Sequence, residues 1–262
     1  MVPPMTRLTK GDRSVAGRVA VITGAASGMG RATAHLFADE GAKVAVLDRT
    51  EDGVAAVVDE ITGAGGTAAG WVVDVTDGDR VRAVVAEIVD RLGPPDVLVN
   101  NAGVSLPAPI DGPDFDAQWA TIAVNLTAHT TTIRACLPHL KRDGQGRIVN
   151  IASTEGVGGS AYVSPYTASK HGVIGLSRSL AVELGPTGVT VNVVCPGPIH
   201  TGMTAGIPDE AKEKFARRNV PMKRYGDPEE VAHATFSLCL PAMSYCTGAV
   251  VVVDGGFTTK NN

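Results

Sequence analysis

The sequence predicts an α/β fold, a parallel sheet covered by helices on both faces. Three observations carry that prediction. Apolar β-branched runs alternate with amphipathic stretches from Arg18 onward, the runs are continuously apolar, and the first of them enters a glycine-rich loop followed by a helical pattern. Strands buried on both faces lose the in–out alternation of a half-exposed sheet, and β–α alternation favours parallel pairing. The expected strands are 19–23, 43–47, 67–73, 96–99, 147–151, 189–194 and 249–253. Between them lie the expected helices 30–40, 53–61, 79–92, 115–141, 165–184 and 229–240.

Length and composition suit such a fold. A chain of 262 residues fills one large α/β domain, and no composition shift or linker divides it after residue 17. Residues 1–16, with Pro3, Pro4, Arg7, Lys10 and Arg13 but no apolar core, read as a short flexible leader rather than a secretory signal. A content of 44% hydrophobic and 19% charged residues predicts a substantial core. The net charge of -4 gives no basic footprint for nucleic acid, and no apolar run is long enough to span a bilayer. Cys136, Cys195, Cys239 and Cys246 are scattered with no C-x-x-C pair, which predicts reduced thiols in a cytoplasmic protein and no metal site. Cys195, before Pro196 at an expected strand end, is a weak nucleophile candidate without a neighbouring base.

The first strand runs into Gly24, Ser27, Gly28, Met29 and Gly30, a G-x-x-x-G-x-G loop that opens a helix. Glycines there let the backbone turn tightly and approach a pyrophosphate, whose charge the helix N-terminus favours. Asp48 closes the second strand about twenty residues on, where a carboxylate can bond ribose hydroxyls and repel a 2′-phosphate. That points to NAD, with NADP as the alternative. Ser27 agrees, because no basic side chain stands within the loop, whereas Arg49 could stack on adenine or pair with a phosphate. As a strand-end turn residue Asp48 would have no such role. Asp74-Val75 and Asn100-Asn101-Ala102-Gly103 also fall at carboxyl ends of strands, the ligand-binding edge of open α/β sheets.

Ser153 follows the fifth strand, and Tyr166 and Lys170 follow it four residues apart. Residues i and i+4 share one helix face, so phenol and ammonium can enter one pocket. Ser164 as N-cap, Pro165 at the first helical position and Gly185-Pro186 as a stop would delimit their helix. The Gly-, Pro- and charge-rich stretch from Pro196 to Pro221 is long for a loop, and residues 197–221 are expected to form a substrate lid.

Taken in order, Thr23-Gly-Ala-Ala-Ser-Gly-Met-Gly30, Asp74, Asn100-Asn-Ala-Gly103, Asn125, Ser153, Tyr166-Thr-Ala-Ser-Lys170, Asn192 and Pro196-Gly197 with Thr201 resemble the single-domain short-chain dehydrogenase/reductases, from Gly17 to about Phe257. The resemblance implies a Rossmann-like, doubly wound sheet of seven parallel strands in the order 3-2-1-4-5-6-7. It implies a catalytic tetrad of Asn125, Ser153, Tyr166 and Lys170, with Asn125 helping to hold a water in a proton relay to the lysine. It also places Lys170 on the nicotinamide ribose, Asn100 and Gly103 beside the adenosine and its ribose, and Ile199 and Thr201 against the carboxamide. A free phenol titrates near 10, too high for a base at neutrality, so the ammonium of Lys170 and an oxidised nicotinamide are expected to lower Tyr166. Ser153 would then hold the substrate oxygen while Tyr166 moves the proton.

The activity implied is oxidation of a secondary alcohol, sugar, polyol or hydroxysteroid, or reduction of the ketone. Reduction of carrier-bound 3-oxoacyl chains is the alternative, weakened by Asp48 and by Val163, where many such reductases carry glutamine. A non-catalytic dinucleotide sensor is a third reading, disfavoured by the intact Ser153, Tyr166 and Lys170. Glu155, Tyr162 and Met203 are candidate substrate contacts, although Glu155 is equally a solvated loop acid and the other two equally ordinary packing. His200 reads as a bystander. The helices 115–141 and 165–184 carry more apolar surface than one sheet face needs, including Trp119, Ile122, Val124 and Ile133, and relatives pair such helices between subunits; a homotetramer is expected.

Overall fold

A computed structural model describes residues 13–259. Its sheet has seven strands in the order β3-β2-β1-β4-β5-β6-β7, every pair parallel. They are β1 Val19–Thr23, β2 Lys43–Asp48, β3 Thr67–Val72, β4 Val97–Asn100, β5 Arg147–Ile151, β6 Thr190–Pro196 and β7 Val250–Val253. The central strands β1, β4, β5 and β6 are buried at every residue, as continuous apolar runs require.

The helices are α1 Gly28–Asp39, α2 Glu51–Gly63, α3 Gly78–Arg91, α4 Phe115–Ile122, α5 Ala128–Leu140, α6 Ser164–Leu184, α7 Asp209–Asn219 and α8 Pro228–Cys239. Successive strand side chains point to opposite faces, and this divides the core in two. Ala20, Ile22, Val44 and Val46 pack with Phe37 of α1, Val57 of α2 and Leu238 of α8. Val19, Val21, Ala45 and Leu47 pack with Val84 and Ile88 of α3, Cys136 of α5 and Leu184 of α6 on the other face. Strand order reverses between β1 and β4, so the crossovers leave in opposite directions there and open a crevice.

Several expectations change. Of the leader expected over 1–16, Val15 is fully buried in the core, and residues 1–12 lie outside the described residues. The helix expected over 115–141 is interrupted by a π-helical turn, Ala123–Thr127, which sets Asn125 inward. The stretch after Pro196 is not one loop, because a short 3-10 turn, Gly202–Thr204, and α7 occupy much of it. Ser164 is already helical; Val163 precedes α6 and no side chain caps it. Gly185 stays in helical backbone at φ -48°, and the chain turns at Gly188, φ 79°, where an added Cβ would lie 2.5 Å from the Gly144 carbonyl oxygen. Among the expected interface residues, Ile133 is core and Val124 lines the crevice, while Trp119 is exposed. No helix among the described residues is long and apolar enough to cross a membrane.

Candidate active site

The crevice is a cleft of about 620 Å³ walled by the segments that follow strands β1 to β6. Gly24 and Gly28 have φ of 64° and 51°, and a Cβ on Gly30 would lie 2.1 Å from the Gly24 carbonyl oxygen. Glycine is therefore required for this loop to close on itself. Asn101 braces it: Nδ2 donates to the carbonyls of Thr23 and Gly24, both at 3.0 Å, while Thr23 Oγ1 accepts from the Asn101 and Ala102 N–H groups at 3.0 and 3.1 Å.

At the start of α1, Ser27 makes no capping hydrogen bond and the first turn holds no acidic residue. Asp77 caps α3 and Asp227 caps α8, but α2, α4, α6 and α7 begin without a side-chain cap, as does α1. Its first N–H groups and the positive end of its dipole stay available to an anion. A Cβ at Gly24, Gly28 or Gly30 would meet the chain itself, so the loop presents bare backbone, and that surface fits a dinucleotide pyrophosphate.

Asp48 and Arg49 line the end of the cleft at β2. The Asp48 carboxylate accepts from Ala26 N at 3.1 Å, Arg49 N at 2.7 Å, and Thr50 N and Oγ1 at 3.2 and 3.1 Å. Asp74 lines the same end, its carboxyl held below the ordinary range by the Thr76 hydroxyl and N–H and by the charge of Arg49.

Ser153, Tyr166 and Lys170 line the opposite end. Lys170 is 3% exposed, stands 5.6 Å from the centre of the Tyr166 ring and donates to the Ile151 carbonyl at 2.8 Å. Burial brings its pKa down to about 8. Burial also raises the Tyr166 phenol above its ordinary value, against the opposing pull of a hydrogen bond with Ser153. The lowering expected from Lys170 does not appear in the protein alone, because the ammonium is turned to a carbonyl and burial of the phenol dominates.

Asn125 is fully buried and exchanges two hydrogen bonds with Val104: Nδ2 donates to its carbonyl and Oδ1 accepts from its N–H, both at 2.8 Å. A Cβ on Gly103 would lie 3.3 Å from Asn125 Oδ1 and 3.5 Å from Lys170 Nζ, so both side chains flank that glycine. Met29, Val75, Ala102, Gly103, Pro196, Gly197, Ile199, Thr201 and Met203 also line the cleft.

Glu155 and Tyr162 do not. The Glu155 carboxylate accepts from Ser160 N and Oγ and from Thr167 Oγ1, tying its own loop to α6. Tyr162 has φ 69° and an exposed ring; its carbonyl accepts from Ala108 N and Gln118 Nε2. Asn100, expected beside the adenosine, is buried and bonded to Asn150 and Thr132. Burial raises the thiol of Cys195, which is fully enclosed and no nucleophile. His200 stacks near Tyr225, with ring centres 5.2 Å apart, outside the cleft. Reading from strand ends missed Thr50, Val104, Ser105, Leu106, Ala152 and Thr204 in the wall. Their signal was only adjacency to the motifs.

The glycine cradle and the buried Tyr–Lys pair share one cleft, as a nicotinamide-dependent oxidoreductase acting on CH–OH groups requires. Comparison with known proteins agrees. The family model described as enoyl-(acyl carrier protein) reductase matches residues 24–258. The 3-oxoacyl-(acyl-carrier-protein) reductase FabG of Thermotoga maritima is 40% identical over 92% of this chain and 97% of its own length. Cis-4-hydroxycyclohexanecarboxylate dehydrogenase of Sinomonas cyclohexanicum is 42% identical over 92% of this chain and 96% of its own. A Beutenbergia cavernae crystal structure with NADP bound at low occupancy is 40% identical, with a TM-score of 0.88 over 94% of this chain and 99% of that one. The chain belongs to the short-chain dehydrogenase/reductase family.

One buried group stands apart. His129, four residues after Asn125, is 2% exposed and neither ring nitrogen has a hydrogen-bond partner. Burial, helped by the charge of Lys170, pushes its pKa from 6.5 down to about 3. Below pH 6.5 the unfolded chain therefore binds a proton at this residue that the folded chain refuses until about 3. Stability must fall as the solution is acidified through that window, by at most about 1.4 kcal/mol per pH unit from this residue. His129→Leu should remove that part of the slope, read as unfolding free energies in urea at about pH 7.5 and pH 5. An unchanged difference between variant and parent at the two pH values would count against the assignment.

Proposed function

We propose that this protein interconverts a secondary alcohol and a ketone with NAD in preference to NADP. The observation that carries the reading is that Ser153, Tyr166 and Lys170 line one end of a cleft whose other end holds Asp48. The nicotinamide, when bound, accepts or supplies the hydride at the substrate carbon. In oxidation the C–H bond breaks with its electron pair, and the hydroxyl proton passes to Tyr166; in reduction the phenol returns it. Ser153 Oγ holds the substrate oxygen against the phenol. The elevated phenol keeps its proton at neutrality in the protein alone, which suits donation to a ketone. Lys170 is the cation available to favour phenolate in the oxidation direction, together with the oxidised ring, and to hold the ribose. Asn125 fixes the Val104 peptide beside Gly103 and Lys170, and a relay water there would lead protons outward.

For the dinucleotide, Asp48 presents a fixed negative charge where a 2′-phosphate would lie, and Arg49 alone among the cleft's cations could offset it at that end. A 3-oxoacyl-carrier reductase is the second reading, favoured by the FabG relative and opposed by Asp48. Four free cysteines accord with a reducing cytoplasm. Exposed Trp119 on α4 and Val182 on α6 support assembly into a homotetramer.

Tyr166→Phe should lower kcat by about a hundred- to ten-thousand-fold while leaving dinucleotide binding, followed by protein fluorescence, nearly intact. Full turnover by that variant would end the catalytic assignment. Asp48→Ala should shift the NAD-to-NADP ratio of kcat/KM by about tenfold or more, equivalent to about 1.4 kcal/mol; unchanged discrimination contradicts the role given to the carboxylate. Light scattering on a size-exclusion column should report four chains, and a monomer would dismiss the assembly.

A further inference from the structure

The substrate end of the cleft is distinguished by what its wall lacks. Among the described residues that line the cleft, the charged ones are Asp48, Arg49, Asp74 and Lys170. The first three follow β2 and β3 at the adenine end. Lys170 is spent on the Ile151 carbonyl and lies under the Tyr166 ring, nearly sealed from solvent. Around the reacting position the wall is Val104, Leu106, Ala152 and Met203, with Ser105; Thr204 also lines the cleft, but its hydroxyl donates to the Ile199 and Thr201 carbonyls.

Several charged groups on the neighbouring segments are turned to other partners, and others, such as Asp111, Asp114, Glu210 and Lys214, are exposed and do not line the cleft. Glu155 is held by Ser160 and Thr167, Lys212 pairs with Asp209, Lys223 donates to the Arg217 carbonyl, and Arg224 pairs with Glu230. Apolar side chains are instead left in water. Leu106 and Met203 are 51% and 52% exposed, and Ile110, Val157 and Ile207 on the same three segments are also exposed. Covering such surface is favourable, whereas a carboxylate brought against it loses hydration with no partner to replace it.

We infer that the substrate is a neutral, apolar secondary alcohol or ketone, with no carboxylate or phosphate within reach of the reacting carbon. The inference rests on the dehydrogenase reading and narrows it. Such chemistry can come from a free cyclic ketone or from the acyl end of a carrier-linked chain, whose charged groups would stay outside the cleft.

The test is NADH and NADPH absorbance with matched probes: 4-hydroxycyclohexanecarboxylate, its methyl ester, cyclohexanone, and a 3-oxoacyl thioester of N-acetylcysteamine. The ester should exceed the free acid in kcat/KM by at least about tenfold, corresponding to about 1.4 kcal/mol. Leu106→Arg or Met203→Arg should move that ratio toward the acid by a similar factor. Preference for cyclohexanone assigns a free small molecule, and preference for the thioester assigns a carrier-linked one. An acid turned over as well as its ester overturns the inference and leaves the dehydrogenase reading standing. If no probe is turned over although fluorescence shows the dinucleotide bound, the dehydrogenase reading falls and takes this inference with it.

Discussion

The crevice between β1 and β4 is held to a fixed width by a small set of hydrogen bonds between Thr23 and Asn101. The amide of Asn101 spans the gap to two successive carbonyls, and the Thr23 hydroxyl receives two N–H groups from across it. Parallel pairing brings these two strand ends side by side, but pairing alone does not set the path of the chain beyond them. The clamp does. It fixes the glycine loop on one side and the Ala102-Gly103-Val104 wall on the other, so cradle and catalytic end are built from one frame.

Beneath that frame runs a second polar line. Thr132 of α5 donates to Asn100, Asn100 to Asn150 of β5, and Asn150 to Ser177 of α6. Each group is buried, and each unmade bond would cost about 1–3 kcal/mol, so the line specifies one seating of both helices on the sheet. α6 carries Tyr166 and Lys170, and α5 continues the π turn of Asn125. The spacing of the catalytic groups thus depends on side chains that never meet the cleft.

The parallel sheet and the ends of most elements were legible because buried strands leave continuous apolar runs and because loops at strand ends carry Gly, Asn and Asp, whereas the strand order was legible only through the family resemblance. That the glycine loop, Asp48 and Ser153 line one cleft was legible from their places at strand ends, and that Tyr166 and Lys170 join them was legible from their four-residue spacing on a helix. What escaped depends on partners distant in sequence. Asn100 and Asn101 are adjacent and alike in composition, yet one faces the core and the other the crevice, as alternation along a strand demands. The π turn at Asn125 adds a residue to a turn without any breaker to announce it. Glu155 had the position of a substrate contact, but two hydroxyls nearby in the fold claimed it. The charge state of Tyr166 is a balance between burial and neighbours that spacing on a helix cannot weigh.

The Asp48 carboxylate proposed to select the dinucleotide also holds the fold together. One oxygen receives Ala26 of the glycine loop and the other receives the backbone that begins α2, while Gly53 of α2 approaches so closely that a Cβ there would sit 2.7 Å from the Ala26 methyl. On the proposed reading, selectivity and scaffolding are therefore coupled at this position. An evolving lineage that discards the acid to accept a different dinucleotide also loosens the loop that grips any dinucleotide. The less disruptive path retains Asp48 and recruits cationic charge at its neighbours, Arg49 and Thr50.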